Sequence, residues 1–275
     1  MLLREVEYAR PRSIEEAIEL LSGYDGARPL AGGQTLINVM KARAAAPDVL
    51  VDLADLDELR GVRDLGNGSV EIGAMTTYSQ LMRDESAGAR SILGEVASTI
   101  ADVQVRNRGT IGGNVCSNDP TNHFPPLLVA LGARFTIRGA AGEREVAAED
   151  FFLGVYLTAA GPGELLTKIT IPAGGQDGFA TVTIGADGTA IVSAAASLNG
   201  GVRVAIGCVD AVPVRARELE ERLGADLSEE NVRAAAASVG TTLDPPSDVH
   251  ASADYRRHLA GVLAARAVLA AKERR

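Results

Sequence analysis

Two glycine pairs are the residues whose types and spacing point to binding chemistry. The first lies in residues 29–36 (PLAGGQTL) and the second in residues 106–114 (RNRGTIGGN). Glycine lets the backbone adopt a positive φ and approach a ligand closely, and successive exposed N–H groups form a concavity that binds phosphate. Hydroxyl and amide side chains lie beside each pair. Together the two segments predict a site that holds the two phosphates of a diphosphate.

Neither segment matches a standard nucleotide-binding motif. The chain has no G-x-G-x-x-G after a first strand and no G-x-x-x-x-G-K-[ST]. A single Gly-Gly pair is most often a tight turn. The functional interpretation therefore depends on the two segments together and on the motifs around them.

Short motifs follow one another in a fixed order along nearly the whole chain. They are YARP at 8–11, AGGQTL at 31–36, GAMTT at 73–77, ADVQVRNRGTIGGN at 101–114, GELLT at 163–167 and VPVRA at 212–216. This series resembles the FAD-binding (medium) subunit of molybdenum hydroxylases, the carbon monoxide dehydrogenase and xanthine dehydrogenase family. The resemblance implies an oxidoreductase subunit that carries non-covalent FAD and relays electrons.

The same resemblance implies which residues bind FAD. Contacts to the diphosphate fall on Ala31, Gly32, Gly33, Gln34, Thr35, Leu36, Thr110, Ile111, Gly112, Gly113 and Asn114. Leu165 and Leu166 match positions beside the flavin ring, although two leucines in a strand are equally typical of a core. Arg106 and Arg108 either neutralise the diphosphate or tether their segment.

Departures from the family pattern lie just after the second glycine pair and in the C-terminal third. Asp119 precedes a proline and is expected either near the flavin or in an Asx turn. In the family an acidic residue associated with flavin or ribityl contacts commonly lies near the position of His123, so His123 is expected either to contact the flavin side or to be a loop residue without a cofactor role. Histidine has fewer acceptor positions than a carboxylate and can be cationic. The family also has a basic segment where this chain has residues 182–187, and here that segment is shorter.

The chain lacks the ligands for a redox metal of its own. It has two cysteines, Cys116 and Cys208, whereas an iron–sulfur cluster normally takes four thiolates. Its three histidines show no zinc-binding spacing. Cys116, close to the second glycine pair, is expected to be a small buried residue and not a redox thiol.

Partners follow from the resemblance. They are a small subunit with [2Fe-2S] clusters and a large subunit with the molybdenum cofactor, in a dimer of heterotrimers. The electron acceptor would be a quinone or NAD, and the motifs lean towards carbon monoxide dehydrogenase. The alternative is a self-contained FAD oxidoreductase that acts without molybdenum or iron–sulfur partners. Such an enzyme needs a substrate pocket and a base beside the flavin.

Composition excludes several classes of protein. The net charge is −9 and no basic run stands out, which argues against nucleic acid as the main partner. No apolar run approaches the ~18 residues of a membrane helix. The first ten residues include four charged side chains, which is not typical of a signal peptide. We therefore expect a cytoplasmic protein without a membrane span.

The order of predicted elements favours an α+β fold. Residues 1–56 form a βαβ-like unit and residues 57–176 a second FAD-binding unit, so that together they make a two-part α/β region. Residues 177–275 form a C-terminal α+β domain with an antiparallel three-stranded sheet followed by helices. Turns are predicted at 66–68, 186–188 and 199–201, a linker at 174–178, a loop at 103–114, and a helix at 213–223.

Overall fold

The computed structural model describes residues 3–185 and 188–274. Residues 186 and 187, which belong to the predicted turn at 186–188, lie outside this range. The predicted α+β class is confirmed, with several sheets and helices arranged in successive blocks along the chain. Among the described residues we find no helix whose length and apolar character would let it cross a membrane.

The chain begins with a small parallel sheet. Its elements are β1 (Glu7–Ala9), α1 (Ile14–Gly23), β2 (Ala27–Leu30), α2 (Leu36–Lys41) and β3 (Val49–Asp52). Strand β3 lies in the centre, with β1 on one side and β2 on the other, and both neighbours run parallel to it. The parallel pairing brings the carboxyl ends of β2 and β3 together at one edge of the sheet.

Helix α1 packs on this sheet through one apolar face. Its buried residues are Ile14, Ala17, Ile18 and Leu21, which recur at the helical spacing. The Ser13 hydroxyl accepts a hydrogen bond from the Glu16 amide at 3.1 Å, as expected for an N-cap. The Glu16 carboxylate accepts from the Arg12 amide at 2.7 Å instead of closing the reciprocal bond to Ser13. Ser13 and Glu16 therefore form only half of a capping box.

A five-stranded antiparallel sheet follows. Its strands are β4 (Val62–Asp64), β5 (Val70–Gly73), β6 (Arg134–Gly139), β7 (Gly142–Ala147) and β10 (Leu165–Ile171), in the order β4-β5-β10-β6-β7. The predicted hairpin around residues 66–68 forms, because Gly66 and Gly68 both take a positive φ. Between β7 and β10 the chain forms the short helix α8 (Ala148–Phe151) and a two-stranded hairpin of β8 (Phe152–Gly154) and β9 (Leu157–Thr158).

Five short helices cover one part of this sheet. They are α3 (Tyr78–Leu81), α4 (Ile92–Ser98), α5 (Val103–Arg108), α6 (Ile111–Ser117) and α7 (Phe124–Ala130). The prediction of a loop over 103–114 is wrong, because α5 and the start of α6 occupy it. Asp102 caps α5 and Thr110 caps α6, each with its side chain accepting from a backbone amide. Two residues, Gly109 and Thr110, separate these helices.

The C-terminal region has its own antiparallel sheet. It contains β11 (Asp177–Ile184), β12 (Thr189–Ser197), β13 (Arg203–Gly207) and β14 (Val214–Arg215), in sequence order. The three predicted strands form, and β14 adds a fourth where the start of a helix was predicted. Helix α9 begins only at Arg217, because Val214 and Arg215 pair with β13. Strand β11 begins at Asp177, so the predicted linker at 174–178 is shorter than expected.

Three helices pack on that sheet: α9 (Arg217–Leu223), α10 (Glu229–Ala236) and α11 (Ala253–Glu273). Helix α11 buries a series of alanines and leucines against β11 and β12. Strand β11 also meets the middle of the chain through a buried ion pair. Arg90 and Asp177 are each 1% exposed, and the Arg90 Nε lies 3.0 Å from the Asp177 carboxylate.

Candidate functional site

The first glycine segment leaves β2 and leads into α2. Gly33 has a φ of +73°, a conformation that a residue with a side chain adopts at a cost. None of the described hydrogen bonds uses the backbone amides of Gly32, Gly33 or Gln34. The segment therefore presents a row of free N–H donors, which is the arrangement expected of an anion site.

The second glycine segment has a different structure. Gly112 and Gly113 lie in the first turn of α6 and not in a loop. The amides of Ile111, Gly112 and Gly113 donate to Thr76 O, Ala74 O and the Thr110 hydroxyl, at 3.0, 2.8 and 3.0 Å. The expected row of free N–H groups is therefore present in the first segment and not in the second.

The two segments lie against each other. A Cβ added to Gly32 would be 2.1 Å from the carbonyl oxygen of Arg108, and one added to Gly112 would be 2.5 Å from that of Ala74. Both positions therefore require glycine for backbone packing. A Cβ on Gly113 would meet only the Thr110 hydroxyl, at 2.9 Å, and the Cβ of Ala31, at 3.7 Å. Gly113 is thus the glycine of α6 whose missing side chain leaves room beside the first segment.

A cavity of about 300 Å³ opens over the first segment. Its lining residues are Leu30, Ala31, Gly32, Gly33, Gln34, Ile37, Asn38, Lys41, Asp52 and Arg108. Lys41 and Arg108 have no ion-pair or hydrogen-bond partner within the described part of the chain. Two uncompensated cations and a row of free amides around one cavity favour an anionic ligand with more than one phosphate oxygen.

Arg106 lies on α5, two residues before Arg108. It tethers its segment and does not neutralise a ligand in the cavity. Its guanidinium donates to the carbonyl oxygens of Ile100 and Ala101, at 2.9 and 2.6 Å. Arg106 therefore holds α5 to the end of α4. Of the two arginines predicted for this segment, the structure brings only Arg108 to the cavity.

Asp119 forms the predicted Asx turn after α6. Its carboxylate accepts from the amide and the hydroxyl of Thr121, at 2.9 and 2.8 Å. The hydroxyl of Tyr156, in the β8–β9 hairpin, also donates to Asp119 at 3.1 Å. Asn118, at the left-handed end of α6, donates to Gly154 O at 2.6 Å and ties this loop to the same hairpin.

His123 is buried beside that loop. Its side chain is 3% exposed, its Nδ1 lies 3.3 Å from the Thr99 hydroxyl, and its ring packs against Phe179 at a centroid distance of 5.4 Å. Burial lowers the pKa of His123 to about 4, so the imidazole is neutral near pH 7. Its Nε2 and the Oδ1 of Asn114 are buried without a hydrogen-bond partner. Neither residue lines the cavity over the first glycine segment.

Leu165 and Leu166 lie in packed cores and not in the wall of the cavity. Leu165 is 3% exposed and packs in the cluster around α1 and β3, and Leu166 is 5% exposed and packs in the cluster of the five-stranded sheet. Cys116 is half-buried and not fully buried as expected, but burial of its thiol raises the pKa to about 12, which fits an inert residue. A contact between these leucines and a ligand stays a prediction.

Sequence reasoning did not single out the polar lining residues Asn38, Lys41 and Asp52, nor the apolar Ile37. Asn38 and Lys41 lie on α2, two and five residues after its first residue, Leu36. Asp52 ends β3 and pairs in parallel register with Leu30, the last residue of β2. The available signal was the βαβ pattern itself, since a polar residue that ends the second parallel strand lies beside the turn that follows the first.

The arrangement fits a dinucleotide cofactor. The free amides and the two unpaired cations suit a diphosphate, and Gly113 leaves room for it. The fold and the cavity define a protein with a site suited to a diphosphate-containing cofactor, followed along the chain by a second antiparallel sheet with helices. Residues 4–174 match the family model "FAD binding domain in molybdopterin dehydrogenase", and residues 176–271 match "CO dehydrogenase flavoprotein C-terminal domain".

The chain belongs to the family of FAD-binding medium subunits of molybdenum hydroxylases. It is 41% identical to the carbon monoxide dehydrogenase medium chain of Afipia carboxidovorans, over 100% of this chain and 99% of the relative. It is 38% identical to the glyceraldehyde dehydrogenase medium chain of Sulfolobus acidocaldarius, over 96% and 97% of the two chains. It superposes on a chain of the reconstituted carbon monoxide dehydrogenase from Oligotropha carboxidovorans with a TM-score of 0.93 and 38% identity, over the full length of both.

These similarities confirm the predicted family and the predicted class of FAD-dependent oxidoreductase subunit. The relatives are named as medium chains, and so as components of enzymes with more than one kind of chain. The alternative of a self-contained oxidoreductase is not favoured, because the likeness to medium chains extends over the entire length of the sequence.

Proposed function

We propose that this chain is the FAD-carrying medium subunit of a complex of the carbon monoxide dehydrogenase type. The FAD held between the two glycine segments would supply electron transfer to an external acceptor such as a quinone or NAD. The observation that carries the proposal is the cavity over the first glycine segment, with its free amides and its unpaired Lys41 and Arg108. The identity with carbon monoxide dehydrogenase medium chains supports the choice of complex.

The proposed FAD contacts divide by physical role. Gly32, Gly33 and Gln34 supply backbone amides, and Ala31, Thr35 and Leu36 complete the same segment. Thr110, Ile111, Gly112, Gly113 and Asn114 form the opposite wall through α6. Asp119, His123, Leu165 and Leu166 are proposed on the flavin side, where the unpaired Nε2 of the neutral His123 supports a contact.

The proposal also assigns domains. Residues 1–56 and 57–176 form the two FAD-binding parts, and residues 177–275 form the C-terminal domain. Three hydrophobic clusters support this division, because each is drawn mainly from one of these segments. The FAD-binding parts position the cofactor, and the C-terminal domain packs against them through β11 and its buried Asp177.

The partners follow from the same proposal. A small subunit with [2Fe-2S] clusters would deliver electrons, a large subunit with the molybdenum cofactor would oxidise the substrate, and two such heterotrimers would form a symmetric dimer in the cytoplasm. This division of labour explains why the chain needs no nucleophile or paired carboxylates of its own. Substrate identity would then be set outside this chain, which is consistent with medium chains named for both carbon monoxide and glyceraldehyde.

Cofactor content provides the first test. We expect the purified chain to be yellow, with flavin absorbance at about 450 nm, and acid precipitation to release FAD into the supernatant. Flavin that stays with the protein pellet would contradict non-covalent binding. A chain that takes up no FAD on reconstitution would contradict the proposal as a whole.

Dependence on partners provides the second test. Under anaerobic conditions, carbon monoxide, aldehydes, purines and N-heterocycles should leave the flavin of the isolated chain oxidised. After addition of the small and large subunits, carbon monoxide should bleach the flavin absorbance. Rapid bleaching of the isolated chain by any of these substrates would instead support the self-contained oxidoreductase. If an aldehyde bleaches the flavin of the complex and carbon monoxide does not, the proposed substrate of the complex changes from carbon monoxide to an aldehyde.

A further inference from the structure

The cavity contains one charge that a diphosphate does not explain. Asp52 lies in the same wall as Gly32 and Gly33 and is the acidic residue among those that line the cavity. A carboxylate beside two phosphates is unfavourable unless it faces a part of the ligand that donates hydrogen bonds. The position of Asp52 therefore carries information about the non-phosphate part of the ligand.

The protein uses only part of the acceptor capacity of Asp52. Its Oδ1 accepts from the Ala54 amide at 3.0 Å, and its Oδ2 accepts from the hydroxyl of Tyr8. The bond to Asp52 raises the pKa of Tyr8, so Tyr8 keeps its proton and remains a donor. An ionised carboxylate offers about four lone-pair positions. Two remain on a side chain that is held in one orientation and only half-buried.

The backbone places Asp52 where nucleotide-binding βαβ units place an acidic residue. Leu30 and Asp52 are register partners at the carboxyl ends of β2 and β3, and the glycine segment leaves the sheet at the same edge. In such units the glycine turn faces the phosphates, and an acidic residue about 20 positions further on accepts from the ribose hydroxyls. Gly32 and Asp52 show this spacing, although the segment lacks the usual three-glycine motif.

We propose that Asp52 accepts hydrogen bonds from the 2′- and 3′-hydroxyls of the adenosine ribose of FAD, and that Tyr8 holds its carboxylate in position. This inference rests on the proposed function, since it assumes that the cavity binds FAD. Asp52 would be the residue of this site that distinguishes the ribose of the adenosine half from a deoxyribose. Lys41 and Arg108 would serve the phosphates on the other side of the glycine segment.

The competing role of Asp52 is structural. Its bonds to Ala54 and Tyr8 also stabilise the turn after β3. Asp52→Asn separates the two roles, because asparagine keeps an oxygen for the Ala54 amide and has the same shape, but loses the charge and one acceptor. Asp55→Asn is a matched control, since Asp55 lies in the same turn, pairs with Arg10 at the surface and does not line the cavity.

The experiment measures dissociation constants of the full chain by quenching of flavin fluorescence. The probes are FAD and two analogues that carry 2′-deoxyadenosine or 2′,3′-dideoxyadenosine. For the wild type we expect the dideoxy analogue to bind at least about tenfold more weakly than FAD, because hydrogen bonds to a charged acceptor are lost. Asp52→Asn should reduce the ratio of the two dissociation constants, dideoxy analogue over FAD, by about fivefold or more. Tyr8→Phe should give an intermediate ratio, and Asp55→Asn the wild-type ratio.

Different failures have different meanings. If the wild type binds FAD and both analogues equally tightly, or if Asp52→Asn keeps the full ratio, the assignment of Asp52 to the ribose is wrong and the proposed function stands. If Asp52→Asn weakens all three ligands by the same factor, Asp52 acts through the turn alone, which also overturns the assignment. If no protein variant binds FAD at all, the proposed function itself fails.

Discussion

Removal of Asp177 should destabilise the chain far more than removal of an exposed acidic partner. Asp177 and Arg90 are both 1% exposed, and the guanidinium lies 3.0 and 3.1 Å from the two carboxylate oxygens. The Asn199 amide also donates to Asp177 at 3.0 Å, and Arg90 donates to Pro172 O at 2.8 Å. Asp177→Ala therefore leaves the buried Arg90 cation without its carboxylate, and the half-buried Asn199 amide loses one of its two acceptors.

Breaking a buried pair by removing one partner costs about 3–5 kcal/mol. For a chain of this size about 1 kcal/mol corresponds to 2–4 °C in Tm, so the expected drop is roughly 6–20 °C. The matched control is Glu145→Ala. Glu145 pairs with Arg134 at 2.9 Å, but the two side chains are 50% and 52% exposed. Such a pair contributes about 0–1 kcal/mol, which predicts a drop of less than about 4 °C.

The assay is thermal unfolding of the FAD-saturated chain followed by circular dichroism. The double variant Arg90→Met, Asp177→Leu should recover more than half of the Tm that Asp177→Ala loses, because it leaves no uncompensated buried charge. Equal Tm values for Asp177→Ala and Glu145→Ala would refute the reasoning, since they would mean that Asp177 is solvated or unpaired. A double variant less stable than Asp177→Ala would show that the contact to Pro172 outweighs the charge.

Three further outcomes are expected at the site. Gly33→Val and Gly113→Val should each abolish FAD binding while the circular dichroism spectrum is retained. Gly33→Val acts through strain at a φ of +73°, and Gly113→Val through steric exclusion beside Ala31. A folded variant with wild-type affinity would place the diphosphate elsewhere. Because burial lowers the pKa of His123 to about 4, the unfolded chain binds this proton first, and urea stability should fall by up to about 3 kcal/mol as the pH drops from about 6.5 to 4. His123→Gln should flatten that slope, and an unchanged slope would assign it to other groups. Lys41→Met and Arg108→Met should each weaken FAD binding by about tenfold or more and reduce its salt dependence, whereas an unchanged affinity would remove that cation from the site.

Local patterns predicted the elements whose stability is local. The turns at 66–68 and 199–201 were visible because turn residues suffice there. Helices α5 and α6 were missed, since they contain six and seven residues and two glycines. The first turn of α6 depends on distant partners, as in the bond from the Ile111 amide to Thr76 O. Strand β14 was missed for the same reason, because its two residues are extended only through pairing with β13.

The candidate site likewise divides into residues that local motifs indicate and residues that only the folded chain brings to the cavity. The glycine motifs located the site, since they are local signals. Asp52 and Arg108 reach the cavity through long-range structure, namely the register of β2 with β3 and the contact of Gly32 with the end of α5. No spacing rule within either motif contains that information. The unpaired Nε2 of His123 is likewise invisible in the sequence, because burial by Phe179 and α4 arises only in the folded chain.

The two glycine pairs resemble each other in sequence but act through different physics. In the first pair, Gly32 permits contact with the backbone of α5, and Gly33 supplies the positive φ that turns the free amides towards the cavity. In the second pair, Gly112 permits contact with Ala74, and Gly113 leaves space. Each pair thus combines one glycine required for folding with one required by the ligand. Substitutions at Gly32 and Gly112 therefore report on stability, and only those at Gly33 and Gly113 report on where the phosphates lie.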